Sequence, residues 1–146
     1  MKLMDILRVK GSTVYTISPQ AKLTDVVRKL VDHNIGSLVV CEDLGCHSGR
    51  VLGIITERDI LQACAESETS LAERTVEEAM TKDLVVGSPF DTIDYTMGVM
   101  TEHRVRHLPV MDGDDLKGMI SIGDVVKAHH HLAVVENHYL KSYIQS

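Results

Sequence analysis

The sequence predicts an α+β fold: two β-α-β-β-α repeats related by a pseudo-twofold, plus a long C-terminal helix. Three observations predict it. The chain says nearly the same thing twice, each copy holds one stretch of helical period, and each then holds two apolar runs of strand length. Ser18/Ser88, Pro19/Pro89, His33/His103, Leu38/Leu108 and Val40/Val110 align at an offset of 70, whereas Gly53/Gly118, Ile55/Ile120 and Asp59/Asp124 align at 65. The change, 70 − 65, leaves five extra residues in the first copy, within 41–50, where a loop absorbs them. Half-chains of roughly 65 residues are marginal alone, so the copies are expected to share a core.

Taken in order, Val14–Ile17 reads as a short extended piece ending in Ser-Pro, which disfavours helix before the proline. Leu23, Val26, Val27, Leu30 and Val31 then fall on one helix face. Ser37–Val40 and Val51–Ile55 read as strands, joined by a segment carrying Gly45, Ser48 and Gly49. A helix starts at Thr56. Thr75-Val76-Glu77-Glu78 has the form of a capping box and opens a short helix leading to Met80. The second copy follows with an extended Leu84–Val86, a helix face of Ile93, Met97 and Met100, strands at His107–Val110 and Leu116–Ile120, and a helix from Ser121. That last helix runs from about Ile122 to Ile144. Its stripe of Val125, Leu132, Val135, Tyr139, Leu140, Tyr143 and Ile144 has no later segment to cover it. The stripe packs either on a neighbouring subunit or on this chain's own repeats.

Composition narrows the function classes. A net charge of −6 and a pI near 5.7 argue against general nucleic-acid binding, which needs a basic footprint. The amino terminus lacks the apolar run of a signal peptide, and no apolar stretch reaches membrane length. Cys41, Cys46 and Cys64 show no framework spacing and read as reduced thiols. The expected location is cytoplasmic. With four Tyr, one Phe and no Trp, a planar ligand would be held by aliphatic side chains and backbone.

The segments that carry chemistry share one form: Gly, two apolar residues, Ser or Thr, two residues, Asp. They are Gly53-Ile54-Ile55-Thr56-Glu57-Arg58-Asp59 and Gly118-Met119-Ile120-Ser121-Ile122-Gly123-Asp124. One reading is structural, with Thr56 and Ser121 as N-caps and the acid three residues on completing a capping box. The other is functional. A helix N-terminus attracts an anion, a hydroxyl there donates to phosphate, and a carboxylate in the first turn accepts both hydroxyls of a ribose. The bare Gly53 and Gly118 would let a ligand approach the backbone closely.

From Ser-Pro through Gly-x-x-[Ser/Thr]-x-x-Asp, repeated once, the chain resembles a tandem pair of cystathionine-β-synthase (CBS) domains, a Bateman module. Thr-Glu-Arg-Asp (56–59), Arg-His-Leu-Pro-Val (106–110) and Gly-Met-Ile-Ser-Ile-Gly-Asp (118–124) carry the resemblance. It divides the chain into CBS repeat 1 (9–66), CBS repeat 2 (75–130) and a helical extension (131–146), together one CBS-pair module. The resemblance implies a regulatory protein that binds an adenine nucleotide in the cleft between repeats: AMP, ADP or ATP, with NAD as an alternative. Asp124 and Ser121 would serve one site and Asp59 and Thr56 the other. Ile35 and Gly36, or Val105 and Arg106, would line the base or phosphate region, with His107 and Pro109 beside them. It further implies a homodimer of pairs and an unidentified regulated partner.

The copies differ where charge matters. Gly36-Ser37 becomes Arg106-His107, so Arg104, Arg106 and His107 gather positive charge on the second copy, and Arg58 would supply it from the first. A ligand-free dimerisation scaffold, in which both motifs are caps only, stays open. No nucleophile–base pair, P-loop or paired carboxylate points to an enzyme, so no catalytic residue and no catalytic cofactor is expected. No metal is expected either. His129-His130-His131 with His138 cannot converge on one ion from a helix, and Cys41, Cys46 and His47 match no zinc spacing.

Overall fold

The structure is a computed structural model, and it describes residues 1–42, 50–66 and 68–145. In chain order its elements are α1 (Leu3–Lys10), β1 (Thr16–Ile17), α2 (Leu23–His33), β2 (Ser37–Cys41), β3 (Val51–Thr56), α3 (Glu57–Glu66), α4 (Val76–Ala79), α5 (Ile93–His103), β4 (His107–Asp112), β5 (Asp115–Ser121) and α6 (Ile122–Gln145). This is the mixed α+β arrangement with a long final helix that the repeat predicts. The chain forms two compact units: Met1–Ser12 with Val86–Met111 and Lys117–Ser146, and Thr13–Val85 with Asp112–Leu116. Each unit therefore contains the helix that precedes the other repeat in sequence.

In the unit built on the first repeat, β1 runs parallel to β2 and β2 antiparallel to β3, with Val40 opposite Gly53. Leu23, Val26 and Leu30 of α2 close one face of this sheet with Leu38, Val40 and Ile55. Val27 and Val31, read as part of that face, are 37% and 73% exposed. The apolar stripe is wider than the contact that buries it. The second unit repeats the plan in shorter form. β4 pairs with β5, and the extended piece expected at Leu84–Val86 is reduced to a single parallel bridge, Gly87 to Val110. Leu3, Ile93, Met100, Leu108, Ile120 and Val125 are buried there.

The Ser-Pro turns hold the borrowed helices. The first N–H groups of α4 donate from Val76 to the Ala21 carbonyl (2.9 Å) and from Glu77 to the Pro19 carbonyl (3.0 Å). Those of α1 donate from Leu3 to Asp91 (3.0 Å) and from Met4 to Pro89 (3.0 Å). Four helix-end donors are thereby satisfied by backbone from a distant turn. The Thr75 side chain makes no cap bond, so the capping box read there is not what starts α4. α1 itself was not foreseen, although Leu3, Ile6 and Leu7 are buried at helical spacing.

The motif glycines serve this docking. A Cβ on Gly53 would lie 2.6 Å from the Thr81 carbonyl oxygen, and one on Gly118 would lie 2.6 Å from a Leu7 methyl. The close approach predicted for a ligand is made in the structure by the chain's own residues. Cys41 at the end of β2 is disulfide-bonded, which corrects the expectation of three reduced thiols, and Cys64 is free and exposed. Cys46, His47, Gly45, Ser48 and Gly49 lie outside the described residues. Among the described residues no helix is long and apolar enough to cross a membrane.

The two glycines differ in what a methyl would strike. Gly53→Ala meets backbone that is itself pinned, since Thr81 exchanges two hydrogen bonds with Ile54, whereas Gly118→Ala meets the end of a flexible leucine. Gly53→Ala is expected to cost about 1–3 kcal/mol and Gly118→Ala clearly less, as read by urea denaturation of the two variants. Equal losses would contradict this account.

Candidate functional site

Both motifs sit where a strand runs straight into a helix, β3 into α3 and β5 into α6. The hydroxyl residue ends the strand because it can cap the helix that follows. The Thr56 N–H and Oγ1 donate to Asp59 Oδ2 (2.9 and 3.2 Å), and the Asp59 N–H returns to Thr56 Oγ1 (3.3 Å). In the second repeat the Ser121 N–H donates to Asp124 Oδ2 (2.9 Å) and the Asp124 N–H to Ser121 Oγ (3.2 Å). Both are reciprocal capping boxes, as the structural reading of the motif required.

A further bond brings the other candidate residues to each motif. The Glu57 N–H donates to the Gly36 carbonyl (3.1 Å), and the Ile122 N–H to the Arg106 carbonyl (2.8 Å). Ile35, Gly36, Thr56, Arg58 and Asp59 thus gather within one unit, and Val105, Arg106, Ser121 and Asp124 within the other. His107, half-buried, opens β4, and Pro109 is buried inside it with its carbonyl accepting the Gly87 N–H (2.9 Å). Arg58, Arg104 and Arg106 are exposed. Arg104 is also the C-cap of α5, in the left-handed region at φ 55°, where its counterpart is Asn34 at φ 51°. Asparagine suits that conformation and arginine pays about 1–2 kcal/mol for it.

The two motif carboxylates have different neighbours, which repeat alignment alone did not show. Asp59 Oδ1 accepts from the Thr81 hydroxyl (3.0 Å). Asp124 Oδ2 instead meets the ammonium of Lys10, at 2.6 Å, and Lys10 also donates to the Met119 carbonyl (2.8 Å). Burial by itself would raise the Asp124 pKa. The hydrogen bond and charge of Lys10, with the Ser121 N–H and hydroxyl, outweigh it and hold the carboxyl below its usual 3.8. Lys10 and Thr81 are the residues that sequence reasoning missed. Lys10 lies 114 positions from Asp124, and the helical spacing of Leu3, Ile6 and Leu7 is a signal for α1 but not for its partner.

His129 Nδ1 lies 3.4 Å from Asp94 on α5, and both side chains are exposed. Among the described residues no group of His, Cys, Asp or Glu could hold a metal ion.

With this geometry in view, the family model for the CBS domain matches residues 5–66 and again 76–131. The chain is 32% identical to the mitochondrial CBS domain-containing protein CBSX3 of Arabidopsis thaliana, over 98% of this chain and 71% of that protein. A crystal structure of a CBS-domain containing protein from Agrobacterium tumefaciens superposes with a TM-score of 0.81 at 40% identity, covering 88% of this chain and 92% of that one. The CBS domain pair of protein MJ0100, crystallised with methylthioadenosine and S-adenosyl-L-methionine, has a TM-score of 0.75 at 23% identity, covering 90% and 97%. That last likeness is one of fold.

The Asp124 cluster makes a pH prediction. A carboxyl held below its unfolded value stabilises the fold fully above pH 3.8, and that contribution is lost as pH falls through the lower, folded value. Asp124→Asn is expected to be less stable than the natural chain by about 1 kcal/mol at pH 7, the two converging as pH drops below about 3.8. Denaturant titrations across that range check it, and a gap that persists at low pH would refute the assignment.

Proposed function

The chain belongs to the CBS-domain family, and from that premise we propose that this tandem pair is a regulatory module binding an adenosine nucleotide of the AMP, ADP or ATP class. The observation that carries the reading is the motif geometry: in each repeat a hydroxyl and a carboxylate three residues apart are locked at the start of a helix. In this reading Asp59 and Asp124 accept the ribose hydroxyls, and Thr56 and Ser121 donate to phosphate. Both hydroxyl oxygens accept a backbone N–H, as the capping box requires. Each hydroxyl already bonds its own motif carboxylate, so donation to a phosphate turns the O–H from Asp59 or Asp124 toward the ligand.

Ile35 and Gly36 at the Asp59 motif, and His107 and Pro109 at the Asp124 motif, border the base, while Arg58 at the first motif and Arg104 and Arg106 at the second meet the phosphates. The adenosine derivatives bound by the MJ0100 pair support the choice of an adenosine ligand. Occupancy would act by favouring one conformation over another, which a partner protein reads. A cytoplasmic location and no catalytic activity belong to the same reading.

A scaffold reading has its own support, because both capping boxes are already closed within the chain. Thermal unfolding against AMP, ADP, ATP, NAD and S-adenosylmethionine separates the two. A ligand at a hundred times its Kd adds about 2.7 kcal/mol, or roughly 5–10 °C for a chain of this length. A shift with one ligand that disappears in Asp124→Ala supports the nucleotide reading. No shift with any of the five leaves the scaffold, and a shift with NAD alone moves the assignment to a dinucleotide.

The homodimer rests on α6. From His131 to Ile144 it is exposed, with Leu132, Val135, Tyr139 and Leu140 between 37% and 71% exposed on one side of the helix. Their spacing continues the face whose Val125 is fully buried in its own unit. Replacing Val135 and Tyr139 together by Asp is expected to turn a dimer into a monomer in light scattering. An unchanged mass would remove α6 from the interface.

A further inference from the structure

Asp124 is the residue that the nucleotide reading needs for ribose, and in the structure it already has a cationic partner. Lys10 comes from the last turn of α1, and its Nζ lies 2.6 Å from Asp124 Oδ2 and 2.8 Å from the Met119 carbonyl oxygen. Asp124 Oδ2 also accepts the Ser121 N–H, so a ribose hydroxyl arriving at that oxygen competes with Lys10 directly. At the other motif the corresponding neighbour of Asp59 is the neutral hydroxyl of Thr81. A hydroxyl can turn to donate elsewhere, but an ammonium that loses its carboxylate must find another anion or water.

We propose that Lys10 is a specificity-determining residue of the Asp124 site, exchanging its carboxylate for a phosphate when a phosphorylated nucleoside binds and so disfavouring unphosphorylated nucleosides there. The inference rests on the nucleotide reading and names the ligand class at one of its two motifs. An adenosine without phosphate frees Asp124 only by leaving Lys10 unpaired. A nucleoside phosphate brings a replacement anion to the side where Ser121 and the Arg106 backbone already meet the start of α6. The exchange is inexpensive because the pair is partly solvated, with Lys10 39% and Asp124 24% exposed. A phosphate accepts a stronger, charge-assisted bond in return. Lys10, Arg104 and Arg106 all lie in the unit that holds Asp124; the first motif has its own cation, Arg58, but its carboxylate bonds the neutral Thr81 hydroxyl. At the Asp59 motif no such discrimination is expected.

The test is isothermal titration calorimetry of the full chain with adenosine and with AMP, repeated on Lys10→Met and Lys10→Arg. Removing the charge is expected to tighten adenosine about three- to fivefold, the worth of a partly exposed ion pair. It is expected to weaken AMP about tenfold, the loss of one charge-assisted bond. Lys10→Arg keeps the preference for AMP, which separates charge from any disturbance of α1. An AMP-to-adenosine ratio unchanged in Lys10→Met overturns the proposal while leaving the nucleotide reading intact, as does an equal weakening of both ligands. If neither ligand binds the natural chain or either variant, the nucleotide reading fails and this inference with it.

Discussion

The constraint on which the rest depends is the pairing of each Ser-Pro turn with a helix that comes from outside its own repeat. The carbonyls of Pro19 and Ala21 take the first N–H groups of α4, and those of Pro89 and Asp91 take the first N–H groups of α1. A short helix has few internal bonds and would be marginal in water. Its unsatisfied amino end becomes its means of attachment. Once α1 is fixed there, Leu7 lies over Gly118 and Lys10 reaches Asp124. Once α4 is fixed, Met80 and Thr81 pass over Gly53, and the Thr81 hydroxyl reaches Asp59. Docking of the helix, the need for glycine and the state of the motif carboxylate are one chain of causes.

The motif does two jobs with the same atoms. Its Ser or Thr and its Asp close a capping box that lets a strand turn into a helix without a loop. That rigidity also presets the spacing between a hydroxyl and a carboxylate, which lowers the ordering cost of holding a polar ligand. A cap of this kind leaves part of each group unused, since a carboxylate has more acceptor sites than one N–H can fill. Structural and functional accounts of the motif are therefore complementary.

Asymmetry enters where the repeats were free to differ. Asp59 faces a hydroxyl and Asp124 an ammonium, and arginine follows helix α5 where asparagine and glycine follow α2. The left-handed Arg104 is the costlier choice for a helix end. Strained positions of this sort gather at sites where the side chain is wanted for another task.

The repeat, the strand and helix spacing and the motif Ser/Thr–Asp pairs were legible in the sequence, because each depends on residues close together in the chain. Helix period, turn residues and capping boxes act over three or four positions, and so β3, α3, β5 and the whole of α6 could be placed from residue order. The same local reasoning misjudged Leu84–Val86, where tertiary packing leaves a one-residue bridge at Gly87. It gave Gly53 and Gly118 to a ligand, whereas Thr81 and Leu7 occupy the space beside them. By itself, then, the sequence determined the two-repeat α+β plan and the residues able to hold a nucleotide. Only the tertiary structure decided which partner each motif carboxylate keeps, because that depends on α1 and α4 meeting distant turns through backbone bonds that no side-chain pattern encodes.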